Sequence, residues 1–395
     1  MSQQVQAAFL VLSDLHFGAG LREGAEVPPL DTRNSLLERA LRLLNLDVRR
    51  TIERFIEEKC VAHDIQAVKE LPRYLKQLLQ KMRSEGYESK EFDAYVLLGD
   101  LATWPSPGSY AFLRSYLTER RISAGDREYQ VKWAGLGIHA DQLRQRLVVI
   151  PGNHDKLLLT GLDLYHRHFL EPLGLPPQPE AAGCYLLSRA VESREFLFIL
   201  IDGSRYAARE MQVDASVRRH LACGEVTGVL HNEIFRRLDR LQRGESVDGA
   251  QIQDFARATK ILVVHYAVDL SLFPGLKTES LILPHECEAL ARLVSDLRTK
   301  VQLSLVLHGH LHIPKIYSAG VPVIAASTTT QKGGYNGFFV LKFLNTGEMR
   351  AEHHRWFGTG YLPDPDASLT RTIALDKSAA VDMPIAQAAA HPHGA

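Results

Sequence analysis

The chain has 395 residues, of which 45% are hydrophobic and 23% are charged. This is the composition of a soluble globular protein with ample material for a core, and the length predicts either one large domain with insertions or two domains. The 46 basic and 46 acidic residues give a formal net charge of zero. That balance excludes a global basic field that would attract nucleic acid or anionic membrane, but it leaves room for a local basic patch.

The cysteines and the apolar runs of the sequence predict where in the cell the protein is located. The 4 cysteines lie far apart and form no Cys-x-x-Cys pair, so we interpret them as free thiols of a reducing compartment. The first residues carry no basic region, and the apolar run at 7–12 is too short for a signal segment. No apolar run approaches the ~20 residues of a membrane span. The sequence therefore predicts a cytoplasmic protein with no membrane partner.

The predicted elements alternate between strands and helices. Short continuous apolar runs indicate strands buried on both faces, and apolar residues at helical spacing indicate amphipathic helices. This alternation predicts a layered α/β domain. In chain order we predict a strand at 8–12, helices at 36–44, 52–67 and 71–82, a strand at 95–98, a helix at 110–121, strands at 147–150 and 196–201, a helix at 230–241, a strand at 261–264, a helix at 287–297, and strands at 303–307, 321–325, 337–343 and 349–356.

Three stretches stand apart from this alternation. Residues 19–93 are predicted to be a helical insertion after the first strand, which would either pack its leucines inward or cover an active site. Residues 170–179 are rich in proline and are interpreted as a surface connection. The Ala-rich tail at 374–395 is expected to be disordered, which leaves residues 1–373 for the domain itself.

One stretch of polar residues comes directly after a predicted strand. Residues 151–155 read Pro-Gly-Asn-His-Asp and follow the strand at 147–150. Proline cannot donate to a sheet ladder and glycine permits unusual backbone angles, so the strand should end here in a tight turn. That turn would present Asn153, His154 and Asp155 side by side. Taken alone, it fits an ordinary turn and a functional site equally well, because glycine, asparagine and aspartate are common turn residues.

Four other predicted strands also end in histidine or aspartate. Ligands of open α/β sheets bind at the carboxyl ends of the strands, so all five ends would surround one crevice. Imidazole, carboxylate and amide oxygen suit Mn, Fe, Zn or Ni, and without a thiolate a closed structural zinc site is not expected. Two such metals about 3.5–4 Å apart could clamp both oxygens of an in-line displacement at phosphorus. The residues around the crevice would be Asp14, His16, Asp100, Asn153, His154, His265, His310 and His312.

In chain order these motifs resemble the signature of the calcineurin-like metallophosphoesterase superfamily, over roughly residues 8–357. The motifs are Asp14-x-His16, Gly99-Asp100, Gly152-Asn153-His154-Asp155, His265 and Gly309-His310-x-His312. The resemblance implies a four-layer α/β/β/α sandwich with two divalent transition-metal ions at the strand ends. It implies that one metal is held by Asp14, His16, Asp100 and His312. It implies that the other is held by Asp100, Asn153, His265 and His310.

The resemblance also implies catalytic roles. His154 matches a histidine that contacts the phosphoryl group and protonates the leaving oxygen, and a hydroxide between the metals would be the nucleophile. Some relatives orient this histidine with an acidic residue, but this chain has Thr103 at that position. We therefore predict that Asp155 orients His154. His308 is predicted to lie under the site without being a ligand.

The function that this resemblance favours is hydrolysis of a phosphodiester in a nucleotide or another small phosphate ester. A DNA or RNA nuclease is an alternative, although nuclease grooves usually need a basic strip. A non-catalytic interaction scaffold is a further alternative, but such proteins usually lose metal ligands and this chain keeps all seven. A protein phosphatase is neither supported nor excluded. The identity of the metals, the natural substrate and the oligomeric state stay open.

Overall fold

The computed structural model describes residues 3–17, 64–103, 105–123, 132–156, 164–175, 183–203, 226–273, 288–329 and 335–375. The predicted helix at 36–44, most of that at 52–67 and nearly all of the predicted tail lie outside these ranges. Among the described helices, none is both long enough and apolar enough to cross a membrane.

The strands follow the apolar runs of the sequence closely. The prediction missed an edge strand at Cys184–Val191, which has no continuous buried face, and five strands of two to five residues, which are too short to form an apolar run. These five are Ile122–Ser123, Lys132–Trp133, Lys315–Ser318, Tyr361–Pro363 and Thr370–Ala374. The described strands are β1 (Val5–Leu12), β2 (Ala94–Leu97), β3 (Ile122–Ser123), β4 (Lys132–Trp133), β5 (Leu147–Val149), β6 (Cys184–Val191), β7 (Arg194–Ile201), β8 (Thr259–Val264), β9 (Leu305–His308), β10 (Lys315–Ser318), β11 (Pro322–Ala325), β12 (Gly337–Leu344), β13 (Glu348–Trp356), β14 (Tyr361–Pro363) and β15 (Thr370–Ala374).

Two large sheets carry most of these strands. The first has the order β14-β13-β12-β1-β2-β5, with β15 also paired to β13, and the second has the order β10-β11-β9-β8-β7-β6. In the first sheet β1, β2 and β5 are parallel neighbours, and in the second β7, β8 and β9 are. Each sheet therefore brings the carboxyl ends of three adjacent strands to one edge.

The helices cover the outer faces of the two sheets. They are α1 (Ile65–Ser84), α2 (Pro107–Thr118), α3 (Ala140–Arg146), α4 (Gly228–Gln242) and α5 (Glu288–Val301). One buried cluster joins α1, α2 and α3 to the first sheet, and a second joins α4 and α5 to the second sheet. A third cluster lies between the sheets, where Phe9 contacts Phe196 and Phe343 at ring-centroid distances of 4.7 Å. These layers confirm the predicted α/β/β/α sandwich.

The described part of the predicted insertion, residues 64–93, belongs to the outer layer of the sandwich. Asp64 caps α1, because its side chain accepts from the backbone N–H of Gln66 and Ala67. The other oxygen of the same carboxylate accepts from Trp356 Nε1 at 2.6 Å, which fastens the helix to β13. The apolar face of α1 is buried in the first cluster. This part of the chain therefore packs inward and does not cover the site.

The predicted surface connection at 170–179 is wrong at its start. A π-helical turn at His166–Leu170 and a 3-10 turn at Glu171–Leu173 bury Leu170 and Leu173 against the first sheet's helices. Proline is compatible with this because it occupies the first turn, where no backbone donor is needed. At the other boundary, Ala374 still pairs with Glu348, so β15 extends to the first residue of the predicted tail.

Candidate metal centre

The carboxyl ends of five strands converge on one site. Asp14 and His16 follow β1, Asp100 follows β2, and Asn153 follows β5 in the first sheet. The end of β8 supplies His265, and the end of β9 supplies the two histidines of the Gly-His-Leu-His segment. The structure brings all seven predicted ligands together. Six of them belong to three overlapping groups of Asp and His residues that could each hold a metal ion, and the seventh, Asn153, lies with Oδ1 3.1 Å from Nε2 of His265. One of the three groups also includes His154, beside His16 and Asp100, whereas the other two contain predicted ligands only.

The backbone at these strand ends is unusual. Among the described residues, eight residues other than glycine have positive φ, and five of the eight are predicted ligands. Such conformations cost about 1–3 kcal/mol each and persist where the surrounding structure holds them. The positions of these side chains therefore come with local backbone strain. The five angles are 49° at Asp14, 46° at His16, 50° at Asp100, 70° at His310 and 58° at His312.

Asp14, His16 and His312 form the first group. Nε2 of His312 lies 3.1 Å from Oδ1 of Asp14 and 3.4 Å from Nε2 of His16. Burial alone would raise the pKa of Asp14, but the charge and hydrogen bond of His312 outweigh it and hold the pKa well below its usual range. The carboxylate is thus ionised, as a metal ligand must be.

Asp100, Asn153, His265 and His310 form the second group. Nε2 of His265 lies 3.3 Å from Asp100 Oδ2, 3.1 Å from Asn153 Oδ1 and 3.2 Å from His310 Nδ1. The Nδ1–H of His265 donates to the carbonyl of Leu98 at 2.7 Å, so the neutral ring presents Nε2 to this group. Burial lowers the pKa of His265, but Asp100 overrides it and raises the pKa to about 9. Metal and proton therefore compete for this nitrogen.

Asp100 lies between the two groups. Its Oδ2 is 3.3 Å from Nε2 of His265 and 3.9 Å from Nε2 of His16, while its Oδ1 accepts from the N–H of His154 at 2.8 Å. The donors are carboxylate and amide oxygens and imidazole nitrogens, with no thiolate among them, which suits a pair of divalent transition metals. The residues present therefore fit the two predicted ions, and Asp100 contacts both groups that would hold them.

Two glycines keep the strand ends close enough for this arrangement. A Cβ at Gly152 would collide with Oδ1 and the backbone nitrogen of Asp100, and a Cβ at Gly309 would collide with the Ser13 hydroxyl and the Asp14 carboxylate. These glycines are required for close approach of one turn to another. The Ser13 hydroxyl, which sequence reasoning missed, donates to Oδ2 of Asp14.

His154 is oriented differently from the prediction. Its Nδ1–H donates to the main-chain carbonyl of Thr103 at 3.1 Å. The two oxygens of Asp155 instead accept from the backbone N–H groups of Gly152, Leu101 and Ala102 at 2.9–3.1 Å, and one also accepts from a tyrosine hydroxyl. The predicted orienting role of Asp155 is therefore corrected, because that carboxylate fastens the turn bearing Asp100. Backbone groups leave no signal in side-chain identity, so this could not be found from the sequence.

The environment of Asp155 is strongly perturbed. Its side chain is fully buried. Burial and the nearby charge of Asp100 raise its pKa to about 6, although the three backbone N–H groups pull in the opposite direction. A carboxylate held this way acts on the geometry of the site and has no exposed oxygen for substrate.

Two further residues near the site were not identified from the sequence as functional. Lys156 follows the turn at 151–155 and is 2% exposed, and its ammonium pairs with the carboxylate of Asp202 at the end of β7. This ion pair joins the two sheets beside the predicted ligands. His308 lies under the site as predicted: Nδ1 donates to the Gly309 carbonyl and Nε2 lies 2.9 Å from the Tyr317 hydroxyl.

A polar cavity of about 610 Å³ lies elsewhere, at the opposite edge of the sandwich. It is lined by Gln6 at the start of β1, Asp93 before β2 and Arg146 before β5. These residues mark the amino ends of the parallel strands, whereas the ligands follow the carboxyl ends. The cavity is therefore separate from the metal centre.

The layered fold and the two groups of Asp and His side chains, each of which could hold a metal ion, are those of a candidate metal-dependent enzyme. Comparison with family models gives the family: the calcineurin-like phosphoesterase model matches residues 7–314. The chain belongs to the calcineurin-like phosphoesterases, and it is therefore a hydrolase of phosphate esters. The comparison with curated proteins found no match.

Several solved structures resemble this chain at low sequence identity. A dimetal phosphatase from Danio rerio is 13% identical, with 94% of this chain and 100% of that chain covered and a TM-score of 0.43. GAP50, the anchor in the inner membrane complex of Plasmodium, is 11% identical, with 95% and 90% covered and a TM-score of 0.45. A putative 5'-nucleotidase from Staphylococcus aureus is 12% identical, with 95% and 56% covered and a TM-score of 0.38.

Proposed function

We propose that this protein is a binuclear, metal-dependent phosphodiesterase that acts on a nucleotide or another small phosphate ester. The observation that carries the proposal is the position of Asp100, whose Oδ2 lies within 4 Å of a histidine from each ligand group. A carboxylate in that position can serve two cations at once. Membership of the calcineurin-like phosphoesterases supports the same conclusion.

The residues of the chain would divide the work between metal binding and proton transfer. Asp14, His16, Asp100 and His312 would hold one ion, and Asp100, Asn153, His265 and His310 the other. When bound, the two ions would supply an activated water and neutralise charge on the phosphoryl oxygens. His154 would contact the phosphoryl group and donate a proton from Nε2 to the leaving oxygen.

The test of this function is hydrolysis by metal-free protein after addition of Mn, Fe, Zn or Ni. The substrates are a chromogenic phosphodiester and the matching monoester. We expect metal-dependent turnover, with the diester preferred and Mn among the activating metals. Metal binding without turnover of either ester would overturn the enzymatic proposal, and preference for the monoester would overturn the diesterase assignment.

Asp100→Ala tests the bridging position itself. Because Asp100 contributes to both ligand groups, we expect the variant to lose both metals and all measurable activity. Metal content per chain, measured by mass spectrometry after dialysis, decides this. Loss of a single metal would contradict the bridge. Tyr87→Phe is a suitable control, because it removes a buried hydroxyl at the opposite edge, 2.7 Å from Asp93.

The nuclease alternative and the compartment can be addressed with the same protein. The formal net charge of zero supports a small substrate over a nucleic acid. Steep salt dependence of DNA binding, with cleavage of that DNA, would favour the nuclease. Cys184, the cysteine within the described residues, is unpaired, which supports a cytoplasmic location; fractionation of cells would test this.

A further inference from the structure

Three buried polar side chains outside the ligand set form a hydrogen-bonded chain. Oγ of Ser327 lies 3.0 Å from Nε2 of His353, and Nδ1 of His353 lies 2.8 Å from Oδ2 of Asp364. Ser327 and His353 are fully buried, and the side chain of Asp364 has no exposed area. The order serine–histidine–aspartate is that of a nucleophilic triad. Substrate cannot reach the Ser327 hydroxyl, so a different role has to be found.

The direction of each hydrogen bond follows from charge. Burial alone would raise the pKa of Asp364, but the hydrogen bond from His353 outweighs it and lowers the pKa. The carboxylate is therefore ionised and accepts from the Nδ1–H of His353. Burial lowers the pKa of His353, so its ring is neutral and Nε2 accepts the hydroxyl proton of Ser327. The other oxygen of Asp364 accepts from the N–H of Asp366 at 3.0 Å.

Gly337 makes room for this chain at the start of β12. A Cβ at Gly337 would lie 2.5 Å from Nε2 of His353, at the point where Ser327 approaches the ring. The N–H of Gly337 donates to the carbonyl of Thr328 at 3.0 Å. The missing side chain and this hydrogen bond together allow residues 327–329 to pack against His353.

Residues 327–329 in turn hold the end of β1. The hydroxyl of Thr328 donates to the main-chain carbonyl of Asp14 at 3.0 Å. The N–H of Thr329 donates to the Ser13 carbonyl at 3.0 Å, and the N–H of Ser13 donates to the Thr329 hydroxyl at 3.3 Å. Asp14 has a φ of 49°, a conformation that an aspartate keeps only under restraint from its surroundings. Residues 327–329 supply part of that restraint.

We propose that Ser327, His353 and Asp364 act together as a positioning relay for the metal ligand Asp14. The relay fixes residues 327–329, which clamp the Asp14 main chain so that its carboxylate stays against His312. This inference rests on the proposed function in one respect, that Asp14 holds a metal ion. It assigns the relay to the first ligand group and not to the second.

Binding of Mn²⁺ to the first group alone tests the relay. In a His265→Ala background, which disables the second group, titration with Mn²⁺ reports binding near Asp14. We expect Ser327→Ala and Asp364→Asn to weaken that binding about tenfold, the size typical of groups that hold a metal ligand in place. In a His16→Ala background, which reports the second group, the same two changes should leave Mn²⁺ affinity unchanged.

The control is Tyr87→Phe, which removes a buried hydrogen bond to Asp93 at the far edge of the sandwich. It should leave Mn²⁺ affinity unchanged in both backgrounds, whatever its effect on the melting temperature. Unchanged affinity at the first group, or equal weakening at both groups, would overturn the relay. Should Asp364→Asn fail to fold, Ser327→Ala decides the question, because it removes a single hydroxyl. A wild-type protein that binds two Mn²⁺ but hydrolyses no ester would contradict the proposed function and leave this test intact.

Discussion

The orientation of His154 by a carbonyl decides what its ring can do. With Nδ1–H donated to the Thr103 carbonyl at 3.1 Å, Nε2 is the nitrogen that can hold or release a proton beside the metal ligands. The backbone carbonyl therefore fixes both the orientation and the tautomer of the ring, without a side chain from a second residue.

We expect His154→Asn to lower kcat by about 10²–10⁴-fold, the usual contribution of a positioned general acid. The amide can still contact a phosphoryl oxygen, but it cannot transfer a proton. The loss should be smaller for a nitrophenyl ester, whose leaving group needs little protonation, than for an alkyl ester. Metal content should not change, and an unaltered rate on both esters would rule out the assigned role.

Asp155→Asn should impair the structure of the site as well as its turnover. The amide NH2 would face the N–H donors that now point at the carboxylate, leaving buried groups without partners at a cost of about 1–3 kcal/mol. Because those donors belong to the turns bearing Asp100 and Asn153, metal content should fall along with the free energy of unfolding. Tyr110→Phe, which removes only the hydroxyl at 3.2 Å, should have a smaller effect on both. Lower turnover with metals and stability intact would restore the orienting role that the sequence predicted.

At the scale of the elements, the site depends on how closely two strand-end turns approach each other. Gly152 lies against Asp100, and any side chain there would push the turns after β2 and β5 apart. We expect Gly152→Ala to reduce metal binding to background and to lower the melting temperature. Gly228→Ala is the matched control: a Cβ at this first residue of α4 would meet nothing within 4 Å, so the change should be neutral or slightly stabilising. Normal metal content in Gly152→Ala would show that the turns can separate without harm.

Whether an element is buried on both faces decides whether the sequence could predict it. The central strands were predicted because both faces are buried, which makes each a continuous apolar run, and the ligands because each follows such a run. The edge strand β6 was not predicted because it is only partly buried, and Ser188 and Arg189 interrupt its apolar residues. The residues that orient His154 and His265 were not predicted for another reason. Thr103 and Leu98 accept hydrogen bonds through their backbone carbonyls, which every residue carries. The left-handed backbone of Asp14 likewise lies among hydrogen bonds with residues distant in the sequence, among them Gly99 and Thr328, which no local pattern reveals.

At the scale of the whole molecule, the predicted ligands come from two sheets that an apolar layer joins. They follow β1, β2 and β5 in one sheet and β8 and β9 in the other. Apolar clusters hold the outer helices on these sheets, and a few buried polar groups add to that contact. The clearest is His354 on β13, which is 2% exposed, stacks on Phe338 at 5.2 Å and lies 2.9 Å from the Tyr74 hydroxyl of α1. The contact between α1 and the first sheet therefore includes a buried histidine that is uncharged in the fold.

This makes the stability of the sandwich sensitive to pH. Burial, reinforced by the charge of Lys342, lowers the pKa of His354 to about 3. An unfolded histidine takes up a proton near pH 6.5, so the unfolded state binds the proton first. The contribution of uncharged His354 to the free energy of unfolding is fully present above pH 6.5 and is lost as the pH falls towards 3. Between about pH 7.5 and pH 5 we expect His354 to cost the fold about 2 kcal/mol.

The measurement is urea unfolding of the wild type and His354→Gln at both pH values in the same buffer and metal. The glutamine does not titrate, so the variant's free energy of unfolding should fall less on acidification, by about 2 kcal/mol. Contributions from metal release and from the other histidines are common to both proteins and cancel in the difference. Tyr74→Phe removes the hydroxyl but keeps His354 buried, so it should retain the wild-type pH dependence. An identical loss on acidification in wild type and His354→Gln would show that His354 takes up a proton in the folded protein as readily as in the unfolded one.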